Sequence, residues 1–328
     1  MNFKNARLWF LCRLSEGAFR CFYLMAKALP LRVFCWVARP MLGLLIAAVV
    51  PKGRIIKNLT AAFGETYSPA SKRGLAKGVQ EHFVKNLIDC FFQLRFSGYA
   101  RQVVAIQGRE NLEAALAKGK GIIALGAHIG NFALVGTRLG LEGLLFHTLF
   151  RLPPDRRIKT ILDSLQKPLH QQIIPLMPKR KAAVRILEVL KRNEIVFILA
   201  DNLRTGKVHT RLFGQRVHTS RGPTSLALRS RAAVVPIYMI RDYQGTLQLV
   251  IEPEIPMVRS GNLAQDILEN THRIAQYLES LIRRYPDQWN WLTVRMRGTH
   301  DPAPEQQAEK NRVPELGPPL HSEVRDPR

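Results

Sequence analysis

A chain of 328 residues, 46 % of them apolar, can bury a large core, which excludes a peptide-scale or disulfide-stapled scaffold. Its 49 Lys and Arg stand against 25 Asp and Glu, a formal net charge of +24, so the partners to consider are anionic: nucleic acid, an anionic membrane or an acidic protein. The basic residues do not gather in one arm, and no zinc spacing or RNA-binding aromatic signature occurs, which leaves nucleic acid the least supported of the three.

Residues 1–50 are apolar but punctuated by Lys4, Arg7, Arg13, Glu16, Arg20, Lys27, Arg32 and Arg39, and by Pro30 and Pro40. The longest clean apolar run, Met41–Val50, has ten residues, too few to cross a bilayer alone. Interrupting charges and the lack of a cleavage site argue against a cleaved signal peptide. Three readings stay open: a tilted or broken membrane helix with snorkelling Arg and Lys, a pair of amphipathic helices lying in the interface, or a buried helical hairpin of a soluble protein. Trp9, Tyr23 and Trp36 suit an interfacial belt. Lys52, Arg54 and Lys57 follow directly, which puts the rest of the chain in the cytosol by the positive-inside rule. The cysteines, Cys12, Cys21, Cys35 and Cys90, have no metal-site or disulfide-framework spacing and read as reduced thiols of a cytosol-facing protein.

Arg54–Glu65 reads as a short basic helix ending at Gly64, and Ser71–Phe96 as one long helix with Val79, Phe83, Leu87, Phe91 and Leu94 on one face. Strands and helices then alternate. The expected strands are Val103–Gln107, Gly121–Gly126, Leu144–Phe150, Ile195–Ala200, Val234–Ile240 and Leu247–Glu252. The expected helices are Asn111–Lys118, Phe132–Leu139, Ile158–Leu165, Lys181–Arg192, Gly222–Ser230 and Leu263–Arg284, the last capped by Asn262 and stopped at Pro286. Such alternation implies an α/β fold, a mostly parallel sheet flanked by helices, here with an N-terminal membrane-associated helical segment. Residues 301–328 are rich in Pro and charge and poor in apolar residues, which predicts a disordered tail. The expected organisation is an anchor over 1–50, a helical linker region over 51–100, an α/β domain over 101–300 and the tail.

The stretch with most chemical promise is Gly121–Val135. A strand runs into a turn and a helix start, where a side chain is exposed and backbone N–H groups can hold an anion. The one titratable side chain at this turn is His128, which either packs against a neighbouring carbonyl or acts as a base. Gly130 permits close backbone approach.

The residues here read Ala127-His128-Ile129-Gly130-Asn131-Phe132-Ala133, and they resemble the Gly-His-Phe-Gly-Asn-Trp-Glu box of the lipid A late acyltransferases, the lauroyl/myristoyl acyltransferase family of Gram-negative bacteria. Further matches follow in order. Arg54-x-x-x-Asn58-Leu59-x-x-Ala62-Phe63-x-Glu65, Phe150-Arg151 and Ala200-Asp201-Asn202 are similar to family motifs. So are Leu212-Phe213-Gly214, Thr219-Ser220-Arg221-Gly222-Pro223, Val234-Val235-Pro236 and Tyr285-Pro286-x-Gln288-Trp289-x-Trp291. The family's closing His-Arg-Arg is not kept; Thr293-Val294-Arg295 stand nearby.

The resemblance implies a glycerolipid-acyltransferase-like fold and transfer of a fatty acyl chain from an acyl thioester to a hydroxyl of a lipid A precursor or related membrane lipid. The donor would be acyl carrier protein or acyl-CoA, and the acceptor a lipid of an anionic membrane. The enzyme would sit at the bacterial inner membrane with its catalytic domain facing the cytoplasm, with no metal or other cofactor and no nucleic-acid partner. Such transfer needs a base, donors for a tetrahedral oxyanion, and alignment of both substrates. His128 suits the base, backbone N–H groups near Gly130 and Asn131 the oxyanion, and Arg151 a phosphate or the acyl carbonyl; Thr219, Arg221 and Gly222 complete the expected binding set.

One departure matters. The family's acid, five residues after the histidine, is Ala133 here. Either another carboxylate orients the imidazole, with Asp201 the candidate from its strand end, or the chain is an inactive relative that binds lipid or acyl carrier without turnover. The distance from Asp201 to His128 separates the two.

Overall fold

The computed structural model describes residues 17, 20–151, 169–203 and 206–292. Trp9, Cys12, the expected helix Ile158–Leu165, Thr293–Arg295 and the expected tail lie outside the described residues.

The N-terminal part is helical. Residues 20–28 form a helix, followed by α1 (Leu31–Val49), α2 (Lys52–Phe63) and α3 (Pro69–Arg95). Pro40, one of the two prolines that punctuate this segment, lies inside α1, which continues through it. An interior proline costs a helix about 3 kcal/mol, but Phe34, Ala38, Leu42 and Ile46 bury one continuous stripe across that position. Phe34 meets Phe92 edge-on at 5.3 Å and Phe91 at 6.2 Å, so α1 packs along the end of α3. Polar groups of α3 also complete the preceding helices. Gln80 donates to the Val50 carbonyl at 2.7 Å, and Arg95 to the carbonyls of Ala26 and Leu29. A guanidinium at a helix C-terminus meets both the unpaired carbonyls and the negative end of the dipole.

The α3 helix buries more than the one face its periodicity suggests. Ala76, Val79, Val84, Ile88, Phe91 and Phe92 are buried, and the polar Asp89 and Gln93 with them. The helix is held between α1 and the α/β body, so residues on two faces leave water.

A short helix, α4 (Tyr99–Val103), leads into the α/β body, whose strands are β1 (Val104–Gln107), β2 (Ile122–Gly126), β3 (Phe146–Phe150), β4 (Gln172–Pro175), β5 (Ile195–Leu199), β8 (Ala233–Arg241) and β9 (Leu247–Ile251). These form one seven-stranded sheet in the order β1-β9-β8-β2-β5-β3-β4. Every neighbouring pair is parallel except β8 with β9. Its helices are α5 (Arg109–Ala117), α6 (Val135–Gly140), α7 (Lys179–Lys191), α8 (Gly222–Ser230) and α9 (Leu263–Arg284). The central strands β2, β5 and β8 are apolar on both faces and buried almost throughout, as strands covered by helices on both sides must be.

A separate antiparallel hairpin, β6 (Val208–Leu212) with β7 (Gln215–Thr219), has no counterpart among the expected strands. Its two-residue turn is Phe213-Gly214, both at positive φ. Such a turn matches the twist of a hairpin but ordinarily uses Asn-Gly. Phe213 takes it because packing holds it there: its ring lies 5.1 Å from Phe63 and 6.0 Å from Trp291, and its N–H donates to Glu279 of α9 at 2.7 Å.

Candidate active site

The register of two adjacent parallel strands builds the site. Gly126 of β2 pairs with Leu199 of β5, and the Ala200 N–H donates to the Gly126 carbonyl at 2.9 Å. Two residues beyond each strand stand His128 and Asp201, so residues 73 apart in sequence meet at the carboxyl edge of the sheet. Ligand sites of open α/β sheets lie at this edge.

Asp201 Oδ1 is 2.7 Å from His128 Nδ1. Oδ2 accepts from the His128 backbone N–H and from Trp289 Nε1–H, each at 2.8 Å. The carboxylate is fully buried and has three donors around it. Burial opposes its ionisation, but the imidazole and these donors outweigh that and hold its pKa below the ordinary aspartate value. For His128, burial pulls the pKa down and the Asp201 charge and hydrogen bond more than reverse this, leaving it above the ordinary value. With Nδ1 committed to the carboxylate, Nε2 is the ring atom left to take a proton, and the side chain is 29 % exposed. Phe132 stands edge-on to the ring at 5.0 Å.

The turn between strand and helix is tightly held. Gly130 has φ +52°, and its N–H donates to the Gln288 carbonyl at 2.9 Å. The Asn131 N–H donates to the Met239 carbonyl at 2.9 Å, and the His128 carbonyl accepts from Asn290 N–H at 2.9 Å. The expected use of the Gly130 and Asn131 N–H groups for an oxyanion is therefore corrected, since both already serve backbone carbonyls. The helix also begins later than expected: Phe132–Leu134 is a 3₁₀ turn, and α6 starts at Val135. Asn131 itself is buried and turned inward, so the structure does not present it to a substrate.

The other expected residues are dispersed. Arg151 is exposed one residue beyond β3, on the same carboxyl edge of the sheet. Thr219 is buried at the end of β7, its hydroxyl 2.7 Å from that of Thr210, so it closes the hairpin rather than facing a cleft. Arg221 is exposed at the start of α8 and Gly222 is its first residue. Ala133 is exposed, with its carbonyl accepting from Gln171.

Sequence reasoning missed Trp289, Asp89 and Arg241. Trp289 and Trp291 pack at 4.8 Å, and Trp291 packs on Phe63 of α2 at 5.7 Å, while Asn58 of α2 donates to the Trp291 carbonyl at 2.6 Å. Motifs near residues 60, 213 and 290 thus form one aromatic cluster behind Asp201. The signal for Asp89 was a polar triplet, Asn86, Asp89 and Gln93, at helical spacing inside an apolar helix.

The sequence profile of the bacterial lipid A biosynthesis acyltransferase family matches residues 18–298, which spans nearly all of the described fold. The chain belongs to that family.

Among curated relatives, the phosphatidylinositol mannoside acyltransferase of Mycobacterium tuberculosis is 28 % identical over 191 residues, covering 57 % of this chain and 58 % of the relative. That of Mycolicibacterium smegmatis is 25 % identical over 186 residues, covering 56 % and 59 %. The match thus spans a little over half the length of these relatives. Among solved structures, the 1-acyl-sn-glycerophosphate acyltransferase PlsC of Thermotoga maritima aligns with TM-score 0.33 and 13 % identity, covering 74 % of this chain and 98 % of that one.

Proposed function

We propose that this family member moves a fatty acyl chain from an acyl thioester to a hydroxyl of a membrane glycolipid, with His128 as general base and Asp201 as its orienting carboxylate. The observation that carries the reading is the 2.7 Å bond between Asp201 Oδ1 and His128 Nδ1. His128 Nε2 takes the acceptor's hydroxyl proton as the oxygen attacks the thioester carbonyl. The tetrahedral intermediate collapses, the C–S bond breaks, and the imidazolium returns the proton to the leaving thiolate. Asp201 fixes the tautomer and stabilises the imidazolium between these steps. Asp201 offers the orienting carboxylate that the family's acid would offer at the position of Ala133, which favours the active reading over the inactive relative.

Arg151 is an exposed cation on the same sheet edge, suited to a donor or acceptor phosphate or to the developing oxyanion. The acceptor class is a phosphate-bearing glycolipid, whether a lipid A precursor or a mannosylated inositol lipid, and the donor is acyl carrier protein or acyl-CoA. The +24 net charge favours both acidic carriers and anionic lipids. The test is acyl transfer from each radiolabelled donor into extracted bacterial membrane lipid. Wild type should form labelled glycolipid, and a folded His128→Ala variant should form none; no product from wild type with any lipid fraction would overturn the reading.

The place of action is the cytoplasmic face of the bacterial inner membrane, with the N-terminal helices as anchor. The Arg32–Val49 stretch is long and apolar enough to cross a membrane. Two features favour α1 lying in the interface instead. Its buried stripe is fixed to α3, which exposes Lys77 and Glu81 and cannot enter hydrocarbon. Its opposite face is exposed and apolar, with Trp36 at 79 % and Leu44 at 76 % exposure. Changing Trp36 or Leu44 to Glu should remove about 2 kcal/mol each, a roughly 30-fold loss of binding to anionic vesicles. Co-sedimentation unchanged by both substitutions would contradict this placement.

A further inference from the structure

We infer that Asp89 is a positioning residue for the proposed acyl transfer, holding the His128 turn through Asn131. This rests on the acyltransferase reading of the His128–Asp201 pair.

Asp89 lies on α3, outside the sheet, and its carboxylate is buried. Its Oδ2 accepts from Asn131 Nδ2 at 3.1 Å and from the Arg241 guanidinium, and its Oδ1 from the Tyr99 hydroxyl at 3.0 Å. Arg241 ends β8 and is fixed in turn: Gln288 accepts from its N–H at 2.9 Å and donates to its carbonyl at 2.7 Å. Gln288 is also the residue whose carbonyl holds the Gly130 N–H. On the α3 side, Asn86 donates to the Gly130 carbonyl at 2.8 Å. The turn that carries His128 is thus clamped between α3 on one side and β8 with residues 286–291 on the other.

Asn131 has little left to offer a substrate. Its amide donates to Asp89 and, at 3.4 Å, to the Asn86 carbonyl, and its Oδ1 receives the Cys90 thiol at 3.9 Å. Its N–H serves Met239 and its carbonyl accepts from Leu134. With 1 % exposure it joins the turn to α3 and does not face solvent. A buried carboxylate held by a guanidinium, a hydroxyl and an amide is a rigid anchor, since every change of partner leaves a charge or donor unpaired. A shift of about 1 Å at the reacting groups can cost about 10²-fold in rate.

The test is a double-mutant cycle in the full chain with kcat and KM resolved. Asn131→Ala should lower kcat by about 10²-fold and leave KM for donor and acceptor within about twofold. Asn131→Asp sets two carboxylates together and should fall further. Exchanging the pair, Asp89→Asn with Asn131→Asp, restores one amide and one carboxylate and should recover kcat above that of Asn131→Asp. Thermal unfolding of each variant normalises for folded protein. A rise in KM with kcat unchanged in Asn131→Ala would overturn the proposal in favour of substrate binding. Losses in the exchanged pair that simply multiply, or that vanish after normalisation, would overturn it in favour of a purely structural role. If Asp89→Asn does not fold, the kcat–KM split of Asn131→Ala decides. Inactivity of the wild type itself would instead refute the acyltransferase reading.

Discussion

An Asp201→Asn variant is expected to transfer acyl groups about 10⁴-fold more slowly than wild type, about 5 kcal/mol of barrier. The substitution keeps shape and removes charge. The buried oxygen that accepts from His128 Nδ1–H becomes an amide that can present a donor instead, and the favoured tautomer turns its proton to Nε2, where the base is needed. A second readout separates this from a folding defect. His128 acts only when neutral, and its pKa stands above the ordinary histidine value because Asp201 favours the charged form. The acid limb of the wild-type pH–rate profile should therefore lie above the ordinary histidine value. In Asp201→Asn only burial remains, which disfavours the charged ring, so the limb should move to lower pH. A limb that stays in place while the rate falls would show that Asp201 does not set the base.

Gly130→Ala should be severely damaging for a single added methyl group. Gly130 sits at φ +52°, and a Cβ there would lie 1.8 Å from the Met239 carbonyl oxygen. That oxygen is the acceptor of the Asn131 N–H, so the methyl group displaces the bond that seats the turn. The left-handed backbone costs an alanine about 1–2 kcal/mol, and overpacking against backbone about 1–3 kcal/mol more. Gly214→Ala supplies the control, because Gly214 is also at positive φ (+72°) but has nothing within 4 Å of the added Cβ. Denaturant unfolding should place Gly214→Ala about 1–2 kcal/mol below wild type. Gly130→Ala should fall well below that, with acyl transfer lost. Equal destabilisation of the two would mean that the contact with Met239 yields freely.

Much of the fold was legible because its signals are local. Strands β2, β5 and β8 are short apolar runs closed by turn residues, and α9 begins at its Asn262 cap and ends at Arg284 as its periodicity requires. The hairpin β6–β7 was not legible, because its turn uses Phe213, whose positive φ is enforced by Phe63, Trp291 and Glu279 from distant segments. Likewise the segment around Pro40 left a broken helix as one of three open readings, and packing of α1 on α3 decides for a continuous one.

For the site, the sequence by itself determined the chemistry on offer: a histidine at a strand-to-helix turn, a glycine needed for close approach, an aspartate at another strand end and a deficit of acid at Ala133. Family membership was also written there, in motifs spread over most of the chain. Only the tertiary structure decided which of these groups meet. Strand register is a property of pairing, and the match of Gly126 with Leu199 brings Asp201 onto His128. The same pairing logic turned Asn131 inward to Asp89 and committed the Gly130 and Asn131 N–H groups to carbonyls. Buried polar groups must find partners, and those partners lie far off along the chain, so their choice is made by packing.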